Sequence, residues 1–374
     1  MARFDRYLLS QLLLVFGFFS LVLILIYWIN RAVALFDRII ADGQSAGVFL
    51  ELSVLALPGI IRLVLPLAAF FASVYVTNKL SSESELVVVQ ATGFSNWRLA
   101  RPFLVFGLVV LVLESLLMHV LVPAAARQEA VRNAEIAQNL TARFLTEGRF
   151  ESPTKGVTLY IREITPDGEL LDVFLSDDRD PAESLIYTAD RAFLVSTERG
   201  PQLVMVEGLA QTLRTADQRL FTTSFEDFAF DVSALIDPQT DPRPKPRELA
   251  TPDLLWPTAE TLELTRRSPG ELVSEGHDRF AQALLAVVGA LLGFSALIVG
   301  GFSRFGLLRN ILFAVFLVLI VKTIESWALT ETLQDPARWP AMYLPAALGI
   351  GTSSLLIALS HRPALFRRRA RATA

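Results

Sequence analysis

Apolar residues follow two patterns along this chain. Near both ends they form unbroken runs of membrane-spanning length. In the middle they alternate with polar residues at a period of two. A hydrocarbon core of about 30 Å takes about 20 apolar helical residues to cross. Six runs meet that length: Leu8 to Asn30, Leu52 to Thr77, Phe103 to Val122, Phe280 to Ser303, Leu307 to Trp327 and Trp339 to Ser360. Charge enters them rarely, as Arg62 in the second, Glu114 in the third, and Lys322 and Glu325 near the end of the fifth. The first run follows Arg3 and Arg6 and precedes Ala32-Val33-Ala34, as a signal peptide would. It is nevertheless longer than the roughly 7–15 apolar residues of a cleaved leader, so it reads as a span.

From about Pro123 to Pro257 the period changes. Val157, Leu159 and Ile161 alternate with Thr158, Tyr160 and Arg162; Leu171, Val173 and Leu175 repeat the pattern, as do Phe228, Phe230 and Val232. Turn signals separate them at Thr165 to Gly168, Asp177 to Pro181 and Glu198 to Pro201. Short strands with such punctuation predict a sandwich or barrel. Phe225 and Phe228 fall on opposite phases, which predicts a bulge near Asp227. Ala124 to Leu140 reads as a polar helix continuing the third span, Asp237 to Pro246 as a proline-rich linker, and Thr258 to Leu272 as one or two short amphipathic helices. The expected layout is an α+β membrane protein of 3+3 spans: residues 1–122, a β-rich domain at 123–257, a connector at 258–277, and three further spans with a basic tail at 278–374.

Composition agrees with that layout. The chain has 374 residues, 52% apolar and 19% charged, with a mean hydropathy of +0.45; soluble domains carry about 25% charged residues. The absence of cysteine excludes disulfides, thiolate zinc sites and cysteine nucleophiles. There is no G-x-x-x-x-G-K-[ST] and no G-x-G-x-x-G after a strand, and His119, His277 and His361 lack metal-ligand spacing. Nothing in the sequence calls for catalysis, a bound cofactor or a nucleic-acid partner.

Positive charge sets orientation. Arg3, Arg6, Lys79, Arg98, Arg101, Arg304, Arg309, Arg362, Arg367, Arg368, Arg369 and Arg371 lie on one set of faces; the opposite short loops hold only Arg31, Arg38 and Arg338. The positive-inside rule then puts both termini in the cytoplasm and the β-domain outside.

The loop between spans two and three, Lys79 to Gly93, predicts a short helix over about 82–92. Ser82 and Glu85 fit a capping box, Gly93 a C-terminal stop, and Pro102 the first turn of the next span. Its apolar residues Leu86, Val87 and Val88 suit either the membrane interface or a cytoplasmic partner. With this loop a family comes into view. Leu57-Pro58, Leu65-Pro66-Leu67-Ala68, Lys79-Leu80-Ser81, Ser84-Glu85-Leu86 and Ala91-Thr92-Gly93-Phe94-Ser95 resemble the permease subunits of the lipopolysaccharide-export ABC transporter, the LptF/LptG type. Glu275-x-His277-x-Arg279 ahead of span four extends the resemblance. Asp42-Gly43 and the Leu-Pro-Leu-Ala wording bring it nearer the LptF branch. One departure is the lack of proline soon after Arg279.

The resemblance implies an inner-membrane permease without enzymatic activity of its own. It implies a periplasmic β-jelly-roll-like domain and, as partners, a paralogous six-span subunit, a cytoplasmic ATPase dimer that carries ATP and Mg, periplasmic β-domain bridge proteins, and lipopolysaccharide. Glu85, Leu86, Val87 and Val88 would form the coupling helix against the ATPase. Charges in apolar runs cost about 2.5–3.5 kcal/mol each if lipid-facing, so they usually face a cavity or a partner. Arg31, Arg38, Arg62 and Lys322 all fall toward the outer side, as ordinary interfacial anchors and an i,i+3 pair with Glu325, or as a ring of cations for anionic lipid headgroups. Glu114 reads as a helix-packing partner. Gly289-x-x-x-Gly293 on span four reads as intrasubunit helix packing. A periplasmic sensor or scaffold, with helices that only anchor it, is the alternative from another class.

Overall fold

The computed structural model describes residues 3–41, 45–144, 147–154, 156–165, 168–180, 183–197, 200–215, 218–231, 243–299 and 308–360. The chain divides into two compact units, Met1–Glu129 with Pro244–Ala374, and Ala130–Arg243.

The first unit is helical. α1 (Arg3–Ala41) and α2 (Ala46–Ser82) are followed by the short α3 (Glu85–Ala91), then by α4 (Asn96–Leu116). A π-helical turn, Leu117–Leu121, joins α4 to α5 (Val122–Phe144). After the second unit come α6 (Thr251–Leu255), α7 (Ala259–Thr265), α8 (Pro269–Ile298), α9 (Leu308–Gln334), a 3₁₀ segment Pro336–Tyr343 and α10 (Leu344–Leu359). Among the described residues six helical stretches are long and apolar enough to cross a membrane.

α8 is the centre of this unit: 89% of its most apolar window is buried, against 17% for α1 and for α9. Small residues let its neighbours close on it. A Cβ on Gly293 would stand 2.8 Å from Ser73 Cβ and 2.9 Å from the Phe70 carbonyl oxygen of α2, and one on Gly289 3.0 Å from the Pro66 carbonyl oxygen. From α4, Gly107 comes as close to the Val287 backbone, and Phe103 stacks on Phe294 with ring centroids 4.3 Å apart. Three local expectations change. α8 begins at Pro269 rather than near 278, because Ser268 caps it, accepting from the Glu271 amide at 3.2 Å, and proline suits the first turn. Glu275, His277 and Arg279 therefore lie inside α8. Likewise Ser95 caps α4, accepting from the Arg98 amide, so Pro102 is interior rather than in the first turn.

The second unit holds six consecutive strands: β1 (Phe150–Thr154), β2 (Val157–Ile164), β3 (Leu170–Asp180), β4 (Glu183–Thr197), β5 (Gly200–Arg214) and β6 (Arg219–Asp231). They form one antiparallel sheet in chain order, a meander. Its core gathers Val157, Leu159, Ile161, Val173, Leu175, Leu203 and Met205, with Phe225, Phe228 and Phe230 packed against it. Phe225 and Phe228 do reach the same core, but not through a bulge at Asp227. They pair with Gly208 and Met205, so neither strand carries an extra residue. Instead Glu207 turns to φ +56°, and Asp172 two strands away to φ +48°. Leu170 and Val173 on β3, and Ala189 and Ala192 on β4, are likewise both buried. On β3 the left-handed Asp172 lies between the two, at a cost of about 1–2 kcal/mol for a residue other than glycine, and β4 and β6 show the same change of phase at the positions paired with β3 and β5.

Candidate functional site: the intramembrane charges and the α3 loop

The charges that interrupt the apolar runs converge on α8. Arg62 of α2 faces Glu275 at 3.6 Å, and both side chains are nearly buried. One helical turn on, the Gln282 amide nitrogen donates to Asp278 at 3.3 Å and to Glu325 of α9 at 2.6 Å; Glu325 in turn pairs with Lys322 at 2.8 Å. Glu114 of α4 is fully buried, neither carboxylate oxygen has a hydrogen-bond partner, and it interacts electrostatically with Arg62, Asp278 and Lys322. Four helices thus share one polar patch inside an otherwise apolar bundle.

The three motif residues of α8 point three ways. Glu275 takes Arg62. His277 lies flat on Trp339, with centroids 4.4 Å apart and planes 6° apart, and its Nδ1 is 3.0 Å from the Tyr343 hydroxyl. Arg279 is buried and donates to Thr251 Oγ1 at 2.9 Å and to the carbonyl oxygens of Leu249, Arg247 and Pro246 at 3.1, 3.4 and 3.5 Å. It clamps the segment before α6 to α8. His119, in the π-helical turn, meets the same Thr251 hydroxyl at 2.9 Å. Burial of this arginine was not legible in the sequence, because the carbonyls that satisfy it lie some thirty residues upstream.

Of the four expected headgroup cations, Arg31 is 60% exposed and 4.0 Å from Glu129, and Lys322 is 41% exposed despite its pair with Glu325. Arg62 is turned inward to Glu275. The Arg38 side chain lies outside the described residues, as do Asp42-Gly43 and His361. A small, mostly apolar crevice between α2, α8 and α9 counts Gly289 and Lys322 among its lining residues.

The loop helix is shorter than expected. α2 runs on to Ser82, whose hydroxyl donates back to the Lys79 carbonyl at 2.9 Å, so Ser82 does not cap α3. Ser84 occupies that position in a left-handed conformation, φ +60°, which reverses the chain sharply. α3 keeps Leu86 buried in the core of its own chain and presents Val87 and Val88, the latter 62% exposed. Gly93, at φ +91°, ends it.

A model of the family described as lipopolysaccharide export system permease LptF/LptG matches residues 6–359. The chain belongs to that family. As an LptF/LptG member it is a multi-pass membrane protein of a lipopolysaccharide-export permease family. It is 23% identical over 331 residues to an uncharacterised protein of Rickettsia prowazekii, covering 87% of this chain and 90% of that one. It is also 26% identical over 222 residues to the lipopolysaccharide export system permease protein LptF of Escherichia coli, covering 59% of each.

Proposed function

We propose that this LptF/LptG member is one permease subunit of an ATP-driven transporter that extracts lipopolysaccharide from the outer leaflet of the inner membrane. A paralogous six-span subunit would close a shared cavity with it, and periplasmic β-domain proteins would receive the lipid from its own β-domain. Both termini lie in the cytoplasm on this reading, as the distribution of Lys and Arg requires. ATP and Mg bind to a separate cytoplasmic ATPase dimer, and the chain itself carries out no catalysis.

The observation that carries this reading is the family match over residues 6–359 in a chain without a phosphate-binding loop. Such a subunit must receive its work from outside. The surface suited to receive it is α3, where Glu85, Val87 and Val88 stand on a rigid two-turn helix between two spans. At the other end, the exposed Arg31 and Lys322 suit the phosphates of a lipid headgroup.

Depletion of the chain in cells tests the proposal: lipopolysaccharide should accumulate in the inner membrane. A sensor or scaffold would leave its export running. For the coupling surface, Glu85→Arg should break copurification with the ATPase or stop ATP-driven lipid release; unchanged assembly and release would refute that assignment. Photocrosslinkers at positions 31 and 322 should yield lipopolysaccharide adducts.

A further inference from the structure

α3 is bracketed by two hydrogen-bond chains, one at each end. At its start, Lys79 Nζ donates to Gln11 Oε1 at 3.4 Å, Gln11 Nε2 donates to the Tyr7 hydroxyl at 2.9 Å, and that hydroxyl lies 3.5 Å from both carboxylate oxygens of Glu85. Every donor in the series points the same way, from an ammonium to a carboxylate. At its end, Gln90 Nε2 donates to Asn96 Oδ1 at 2.8 Å, Asn96 Nδ2 donates to Ser360 Oγ at 2.6 Å, and Ser360 donates to the Ile357 carbonyl at 2.6 Å.

The two chains end on different helices. The first joins Lys79 of α2 and Glu85 of α3 through Gln11 and Tyr7 of α1, beside the buried Leu8 and Leu12; the second reaches α4 and the last turn of α10, which pack on the central α8. Apolar contacts bring α1 to the far end of the loop as well: Phe94, just past α3, meets Phe4 edge-on at 6.1 Å, and Phe4 lies 6.2 Å from Tyr7. The Glu85 end of α3 is therefore tied to the N-terminal part of α1, whose Leu8 and Leu12 share a core with Leu86, and the Gln90 end to α4 and α10.

We propose that Tyr7 and Gln11 are positioning residues that transmit displacement of α3 to α1, while Asn96 and Ser360 hold the opposite end of α3 as the pivot. This rests on α3 being the surface that receives work from the ATPase. A push on α3 swings its Glu85 end, and the aligned chain carries that swing to α1 rather than letting the loop slide past it.

The test uses the full complex with its ATPase in proteoliposomes containing purified lipopolysaccharide, reading ATP hydrolysis and lipid release separately. Tyr7→Phe removes one hydroxyl and keeps the ring on Phe4. It should leave assembly, melting temperature and hydrolysis within twofold and lower lipid released per ATP at least threefold. Tyr7→Phe combined with Glu85→Gln should be no worse than the more impaired single variant, because residues acting through one contact are not additive. The chain has no cysteine, so Leu14→Cys, exposed on α1, carries a single fluorophore. Its response to ATP should vanish in Tyr7→Phe and persist in Tyr75→Phe. Unchanged lipid release per ATP and an intact fluorophore response in Tyr7→Phe would overturn the relay, as would additive losses in the double variant. Failure of the coupling surface itself would appear separately, as Glu85→Arg complexes that assemble and export normally.

Discussion

Arg279 Nη1 donates to Thr251 Oγ1 at 2.9 Å, and the same guanidinium collects three backbone carbonyls from residues 246–249. Removing it orphans acceptors in a site that excludes water. Arg279→Ala should lower stability by at least about 1–3 kcal/mol, the cost of leaving a buried acceptor unpaired. Arg279→Lys should recover only part of this, since an ammonium cannot reproduce the planar fork. Thermal unfolding in detergent and protease cleavage near residue 247 measure both.

Arg62 and Glu275 make a second buried pair, and here the single and double variants should differ. Arg62→Met or Glu275→Gln alone leaves the remaining group uncompensated and should cost about 3–5 kcal/mol, whereas changing both to apolar residues of similar volume should be close to neutral. The readout is folded yield after heating, compared across the four members of a double-mutant cycle.

Helix packing at α8 should be sensitive to a single methyl group. A Cβ at Gly293 stands 2.8 Å from Ser73 Cβ, while one at Gly17 of α1 meets nothing within 4 Å. Gly293→Ala should cost about 1–3 kcal/mol through overpacking. Gly17→Ala should be neutral or stabilising, and parallel melting curves separate the two.

In the sheet, adjacent positions should respond in opposite senses. A Cβ at Gly208 would run into the Thr188 carbonyl oxygen and the Phe225 ring, so Gly208→Ala should destabilise the sheet by about 1–3 kcal/mol. At Glu207, glycine relieves the left-handed backbone, about 1–2 kcal/mol, but adds unfolded-state entropy of about 0.5–1 kcal/mol. Glu207→Gly should therefore be near neutral or mildly stabilising, as read by amide exchange in β5.

Acid should weaken the β3–β4 turn through one carboxylate. Arg179 donates to Asp177 through Nε at 2.8 Å and Nη2 at 2.5 Å, and this holds the Asp177 carboxyl below its ordinary value of 3.8. A group depressed by folding contributes stability above its unfolded value, and that contribution is lost as pH falls through the folded one. Amide exchange around Asp177 should rise below about pH 4. In Asp177→Asn it should be faster at neutral pH and depend less on acid.

Hydropathy alone determined the six spans and the β-rich insert, because span length and strand alternation are one-dimensional signals set by the bilayer and the pleat. The special character of the Lys79 to Gly93 loop was legible too, since Gly93 and the apolar triplet are local features. Helix starts shifted where α2 ran on through Ser82 and a left-handed Ser84 opened α3, and the starts at Ser95 and Ser268 lie upstream of the apolar runs they serve. Partners were beyond the sequence. Arg62 with Glu275, Gln282 with Glu325, and Tyr7 with Glu85 are far apart in the chain, and only packing around α8 and α1 brings them together. The same holds for the sheet. Alternation announced the strands and the conflict between Phe225 and Phe228, but only the paired register across β5 and β6 shows that both reach the core without an extra residue.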